Sequence, residues 1–288
     1  MYLLHHTSEL LLPTGKYLPA TAIKPGMQVF KGSGQRAHIK TTTPIHLPNA
    51  PQSFQIQNWP LPIISSPKQT FMSAVSTSMF QKLDDILLPG RDLTLPTKLD
   101  WDIPFTLQIN TENAYITNSY LLGYVLGVAY MTYNPQDRML IIRDNCTRKQ
   151  FIKYMKMYGF FVSAESHKVF VDEATAELFD VIAKGNSIPN LILAQNKEYC
   201  YGIYTGIMEV IESNQSLSFE TFKSMFVLML LSGCFGENGI HSSNEYMYFK
   251  PLNAVSLSHK PNHSFIRVEV VDDDGSGVVV NNTVFGSL

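Results

Sequence analysis

Along residues 1–117 the apolar positions come in short runs broken by turn residues. SELLL, QVF, AHIKT and LTL are divided by Pro13-Thr14-Gly15, Lys24-Pro25-Gly26, Gly32-Ser33-Gly34 and Pro89-Gly90-Arg91-Asp92, a pattern that predicts successive strands. QVFKGSGQRAHI predicts a hairpin in which Gly32 and Gly34 supply the positive φ of a tight turn. Leu47 to Pro67 is rich in Pro, Asn, Gln and Ser and reads as one long loop.

From Asn118 the period changes. SYLLGYVLGVAYM has helical apolar density, and MLIIR alternates like a strand. In TRKQFIKYMKMYG, Phe151, Ile152, Met155 and Tyr158 recur at helical spacing up to Gly159. FFVSAESHKVFV reads as a strand pair, EATAELFDVIAKG as a helix closed by Gly185, and EYCYGIYTGIMEVIE as a further helix. SFETFKSMFVLMLLSG adds another, with Ser218 as its N-cap. The order of helix, strands, helix, helix repeats loosely after Glu209. The last segment returns to β: FIRVEVV and VVVNNTV flank DDDGSG, whose Asp-Gly pair predicts a hairpin. The predicted class is α+β. A β-rich domain made of residues 1–117 and 256–288 is interrupted by an α/β insert at 118–255.

Composition narrows the function classes. A chain of 288 residues with 45% apolar and 16% charged residues can bury a sizeable core. Its formal charge of −2 excludes a generally basic nucleic-acid binder and leaves room for a local basic face. Cys146, Cys200 and Cys234 form no CxxC and no Cys/His zinc spacing, so no disulfide framework and no metal site are expected. MYLLHHTSELLL lacks the basic n-region and cleavage site of a signal peptide, and the apolar runs are shorter than a membrane span. The expected location is the cytoplasm or the inside of a viral particle.

Taken together, these segments resemble an intein: a Hint-type splicing fold interrupted by a LAGLIDADG homing endonuclease domain with two pseudo-repeats. Leu122 to Ala129, LGYVLGVA, looks like the first LAGLIDADG helix, and NSIPNLILAQNKEYCYGIYTGIMEVIES looks like the loop leading into the second. Gly123, Gly127 and Gly206 would be the small residues of the helix crossing, where they let two backbones approach closely. In the family the helix ends hold paired acids that bind divalent metal for phosphodiester hydrolysis. Here the resemblance puts Val128 at the first acidic position. Matching IYTGIMEVIE to a pattern ending in DADG puts Ile211 at the second, with Glu209 and Glu212 as residual candidates. Neither apolar side chain can ligate a hard cation, so no cofactor is implied, and magnesium only if nuclease activity survives.

The splicing half is altered in the same way. SELLLPTGKYLPATAIKPGMQVF looks like the opening Hint strands, and LDDILLPGRDLTLPT like a later pair. TTTPIHLP carries Thr43 and His46 in the family's TxxH arrangement, which supports the first acyl shift. That shift needs a thiol or hydroxyl nucleophile, but Leu3 stands in its place. At the far end Gly286, Ser287 and Leu288 occupy the positions of His-Asn and the following nucleophile.

The resemblance therefore implies a catalytically inactive protein kept as a structural or interaction subunit, with a protein partner in a larger assembly such as a viral or phage particle. The first rival is sequence-specific binding of double-stranded DNA without cleavage. Its candidate contacts are Arg138, Arg143, Arg148, Lys149, Lys153 and Lys156, set against only Asp144 in that stretch. The second rival is an active metal-dependent homing endonuclease.

Overall fold

A computed structural model describes residues 1–47, 51–56, 62–73, 76–82, 85, 87, 91–103, 119–183, 197–211, 219–233, 241–242, 245–257, 264–281 and 283–286. The chain divides into two compact units, Met1–Asp102 with Phe235–Leu288, and Ile103–Cys234. The architecture is mixed α+β. The strands in chain order are β1 (Tyr2–His5), β2 (Glu9–Leu11), β3 (Tyr17–Pro19), β4 (Gln28–Phe30), β5 (Arg36–His46), β6 (Gln52–Ile56), β7 (Ile63–Ser65), β8 (Thr70–Ser73), β9 (Ser76–Lys82) and β10 (Leu93–Pro96) before the insert. Within it lie β11 (Tyr133–Asn134), β12 (Met139–Ile141), β13 (Val162–Glu165) and β14 (Lys168–Val171). After it come β15 (His241–Ser242), β16 (Tyr246–Phe249), β17 (Pro251–Ser256), β18 (Ser264–Val270), β19 (Val278–Val280) and β20 (Thr283–Phe285).

The first unit consists of antiparallel sheets. Their orders are β1-β18-β5-β4, β15-β16-β10-β8-β20-β19-β2-β3 with β9 on β8, and β17-β6-β7. Because β16 pairs with β10 and β17 with β6, residues 246–256 belong to this β unit and not to the insert. The core is built from residues distant in sequence: Phe71 packs on Phe285 at 4.8 Å and on Phe54 at 5.4 Å between ring centroids.

Three local expectations need correction here. Leu47 to Pro67 is not one loop, since it contains β6 and β7. Phe54 and Ile56 point inward and Gln55 outward, so the Gln and Ser that suggested a loop are the solvent half of a period-two pattern. DDDGSG is not a hairpin turn: β18 pairs with β1 and β5, and β19 pairs with β20 and β2. The segment carries the chain from one sheet to another. Asp273 accepts the Gly275 N–H, and Asp274 accepts the Ser276 N–H and hydroxyl. Burial acts to raise the Asp274 carboxyl, but hydrogen bonds from Ser276 and Lys31 hold it down at about 2. The hairpin lies instead at Asn281, where Val280 faces Thr283 across a two-residue loop. Asn281 has φ 43°, the conformation such loops demand and Asn tolerates.

The third correction concerns the turn between β4 and β5, which does form a hairpin. Gly34 supplies the positive φ, at 84°. Gly32 serves a different purpose: its N–H donates to the Gly277 carbonyl at 2.9 Å, and a β-carbon there would lie 2.6 Å from Val284 Cγ1 and closer still to the Ser276 carbonyl oxygen.

The second unit holds α1 (Ser119–Thr132), α2 (Asn145–Met157), α3 (Glu173–Ala183), α4 (Lys197–Ile211) and α5 (Phe219–Ser232). Its antiparallel sheet has the order β11-β12-β14-β13. α1 has no polar stripe because Leu122, Tyr124, Val125, Leu126, Val128 and Ala129 are all buried, as expected of a central helix. Asp144 caps α2 by accepting the Thr147 N–H at 2.7 Å, and Gly159 follows its end at φ 76°. The closing Gly185 and the Ser218 cap lie outside the described residues. No helix among the described residues is long and apolar enough to cross a membrane.

Of the two sheets expected of the saddle, one is found among the described residues of this unit. Among the described residues the sheet of the unit comes from residues 133–171. After α4 the unit has only residues 212–234 left, and α5 occupies 14 of them.

Candidate functional site

α1 and α4 make the most extensive contact between two elements among the described residues, and glycine sets how close they come. A β-carbon at Gly123 would lie 3.0 Å from the Ile203 nitrogen, and one at Gly127 the same distance from the Ile203 Cα. At Gly202 it would lie 2.8 Å from the Tyr124 nitrogen, and at Gly206 3.0 Å from the Val128 nitrogen. In every case a carbonyl oxygen of the facing helix is nearer still: Tyr199, Ile203, Tyr120 and Tyr124 respectively. Backbone rests on backbone, so no side-chain rotamer could relieve a methyl group here.

This arrangement is pseudo-symmetric, and the symmetry corrects the sequence reading. Gly123 and Gly127 on α1 correspond to Gly202 and Gly206 on α4, and Tyr120 corresponds to Tyr199. Gly202 was missed, although Gly202-x-x-x-Gly206 repeats Gly123-x-x-x-Gly127 in the sequence itself. The residue that mirrors Val128 is therefore Ile207, not Ile211, which ends α4 one turn later. Val128 and Ile207 are both fully buried. The acidic letters of α4 suggest Ile211, whereas the helices match at their points of contact.

Glu209 is occupied within the helix pair: the Tyr124 hydroxyl donates to its carboxylate at 2.5 Å. Burial and this carboxylate together push the Tyr124 hydroxyl far above its ordinary range, so it stays a donor. Glu212 lies outside the described residues. Tyr124, Tyr133 and Tyr204 are buried, with Tyr124 edge-on to Tyr154 at 5.2 Å. The Tyr133 hydroxyl donates to Asp180 at 3.0 Å, and burial together with that carboxylate pushes it up to about 12.

In the first unit Leu3 is buried in β1 and faces Arg267 of β18, which in turn faces Thr43 of β5. Two strand spacings, about 10 Å, separate Leu3 from Thr43. Thr43 and His46 both belong to the unbroken strand β5. Three residues apart, they project from opposite faces. Both are exposed, and the TxxH spacing gathers no joint site here. At the other end Gly286 is clamped, its N–H donating to the Thr70 carbonyl and its own carbonyl accepting from Gln69 Nε2. Ser287 lies outside the described residues.

The six basic candidates separate into two groups. Arg138 is paired with Glu173 at 3.3 Å. Arg148 donates to the Ile142 carbonyl and to Asn145 Oδ1, at 3.1 and 2.8 Å, so it fastens the start of α2. Arg143, Lys149, Lys153 and Lys156 are exposed, and the three lysines share one face of α2 by helical spacing.

The sheet of this unit is covered on one side, where Leu140, Ile142, Val162 and Val169 are buried. Its other side carries two rows of paired residues, Asn134–Met139–Phe170–Ser163 and Ile141–Lys168–Glu165. Phe170 and Phe161 are 36% and 70% exposed. Three of the seven residues in these rows, Met139, Phe170 and Ile141, are apolar, and Lys168 stands directly opposite Glu165. Comparison with known families finds none whose model the chain matches, and no curated protein matches it either.

Proposed function

We propose that the chain is an intein-like protein, a Hint-type fold carrying a LAGLIDADG-type insert, that serves without catalysis as a structural or interaction subunit of a larger assembly, such as a viral or phage particle. One observation carries this reading. The close α1–α4 contact keeps all four of its glycines, while the symmetric positions beside it hold buried Val128 and Ile207. Gly in a helix interior costs about 1 kcal/mol relative to Ala, so four retained glycines point to selection for the packing. Val and Ile offer no oxygen to a divalent cation. Leu3, buried in the sheet, likewise offers no nucleophile.

The test has two arms. Incubation with a random-target duplex pool and magnesium or manganese should leave the DNA uncut at high protein concentration; site-specific cleavage overturns the proposal. Isolation of the native protein should recover a stoichiometric protein partner. Sequence-specific DNA binding is the second reading, favoured by the exposed Lys149, Lys153 and Lys156 stripe. It predicts salt-sensitive duplex binding that falls when the three lysines are changed to Glu.

A further inference from the structure

We propose that the uncovered face of the β11-β12-β14-β13 sheet is a homotypic docking surface, on which a second copy of this chain stacks about a two-fold axis parallel to the strands. The inference deepens the reading of this unit as a retained scaffold, and rests on it. An antiparallel sheet with one solvated face ordinarily alternates apolar-in with polar-out. Here the outward positions include Met139, Ile141, Phe161 and Phe170. Phe161 precedes β13 by one residue, so it shares the face of Ser163 and lies diagonal to Phe170, within reach of an aromatic ring. Apolar side chains gathered on an outer face mark a protein contact. Phosphates would instead require unpaired cations aimed from that face.

The pattern of the central row favours a copy of the chain itself. Across the sheet it reads Asn134, Met139, Phe170, Ser163: uncharged polar residues outside, apolar residues inside. An in-plane axis along the strands, passing between β12 and β14, sets Phe170 of each copy on Met139 of the other, and Asn134 on Ser163. A ring on a thioether is a favourable contact, and symmetry makes it twice. The same axis sets the partner's Lys168 stem over Ile141.

Charge selects that axis over the one perpendicular to the strands. α2, with Lys149, Lys153 and Lys156 exposed, packs beside the β13 edge, and α3, with Glu173 and Glu177 exposed, beside the β11 edge. The axis along the strands brings the basic flank of each copy toward the acidic flank of the other. The perpendicular axis would set like charges together and stack Phe170 on itself. The flanks lie a layer below the contact, so they orient the encounter and are screened by salt.

Sedimentation equilibrium of the full chain, over a range of concentration and salt, tests this. A dimer is expected. Phe170→Asp and Phe161→Asp should each weaken it at least about 100-fold with unchanged far-UV circular dichroism. Lys153→Glu should weaken the dimer at low salt, and mixing with Glu177→Lys chains should restore it. A monomer at all concentrations, a dimer indifferent to both Phe substitutions, or association only on added duplex DNA would overturn the inference. A monomeric chain that still holds a native protein partner and leaves DNA uncut removes only this inference. Site-specific cleavage removes the scaffold reading as well.

Discussion

Replacing Gly202 by Ala sets two effects of opposite sign against each other. Helix propensity alone favours Ala by about 1 kcal/mol. The crossing opposes it, because the new β-carbon would lie 2.8 Å from the Tyr124 nitrogen and nearer still to the Tyr120 carbonyl oxygen. Both are backbone atoms of α1, whereas an ordinary contact needs about 3.4 Å. The helices must therefore separate by about 1 Å. A gap of that size forfeits roughly a quarter to a half of each dispersion contact along the crossing, and overpacking of this kind costs about 1–3 kcal/mol. With the upper end of that range against the propensity gain, the net loss is about 2 kcal/mol.

Urea unfolding followed by far-UV circular dichroism reports chiefly on this unit, since α1 to α5 belong to it. Lys197→Ala on α4 is the control. Lys197 is exposed at the first position of the helix, so the change should be neutral or mildly stabilising. Adding Gly123→Ala to Gly202→Ala should cost less than the sum, because one separation relieves both clashes. A higher midpoint for Gly202→Ala than for the parent would refute the close crossing.

Two further outcomes follow from the same geometry. Val128→Asp with Ile207→Asp places two carboxylates at fully buried positions; the pair should lower Tm sharply, with a partial return in millimolar magnesium or manganese that either single variant lacks. The Asp274 carboxyl sits at about 2 in the folded chain against an ordinary 3.8, so its contribution is complete above pH 3.8 and is lost as pH falls toward 2. Its side chain is 38% exposed, and screening limits the effect to about 1 kcal/mol. The Tm difference between the parent and Asp274→Asn should be largest above pH 4 and vanish near pH 2.

Local chemistry made much of the chain readable in advance. Gly159 ends α2 as expected, because positive φ is a property of a single residue. The strand pair at 162–171 follows from short-range alternation. The β4–β5 hairpin was legible for the same reason, though only one of its two glycines takes the positive φ. Reasoning failed where the outcome depends on a distant partner. Asp272 to Gly275 looks like a hairpin turn, but β18 finds better neighbours in β1 and β5. Thr43 and His46 share a motif, but strand geometry sends them to opposite faces.

The sequence by itself determined most of the element types outside residues 47–67 and the Gly-x-x-x-Gly spacing of both central helices, and it set valine at 128 and leucine at 3. Those are matters of composition and period, and no fold can supply a missing functional group. Only the tertiary structure decided that Gly202 belongs to the crossing, that Ile207 and not Ile211 mirrors Val128, and that Glu209 is held by Tyr124. It also decided which face of the four-stranded sheet stays uncovered. Helix register and strand pairing are relations between segments far apart in the chain, set by which backbones can approach each other and which side chains are buried between them.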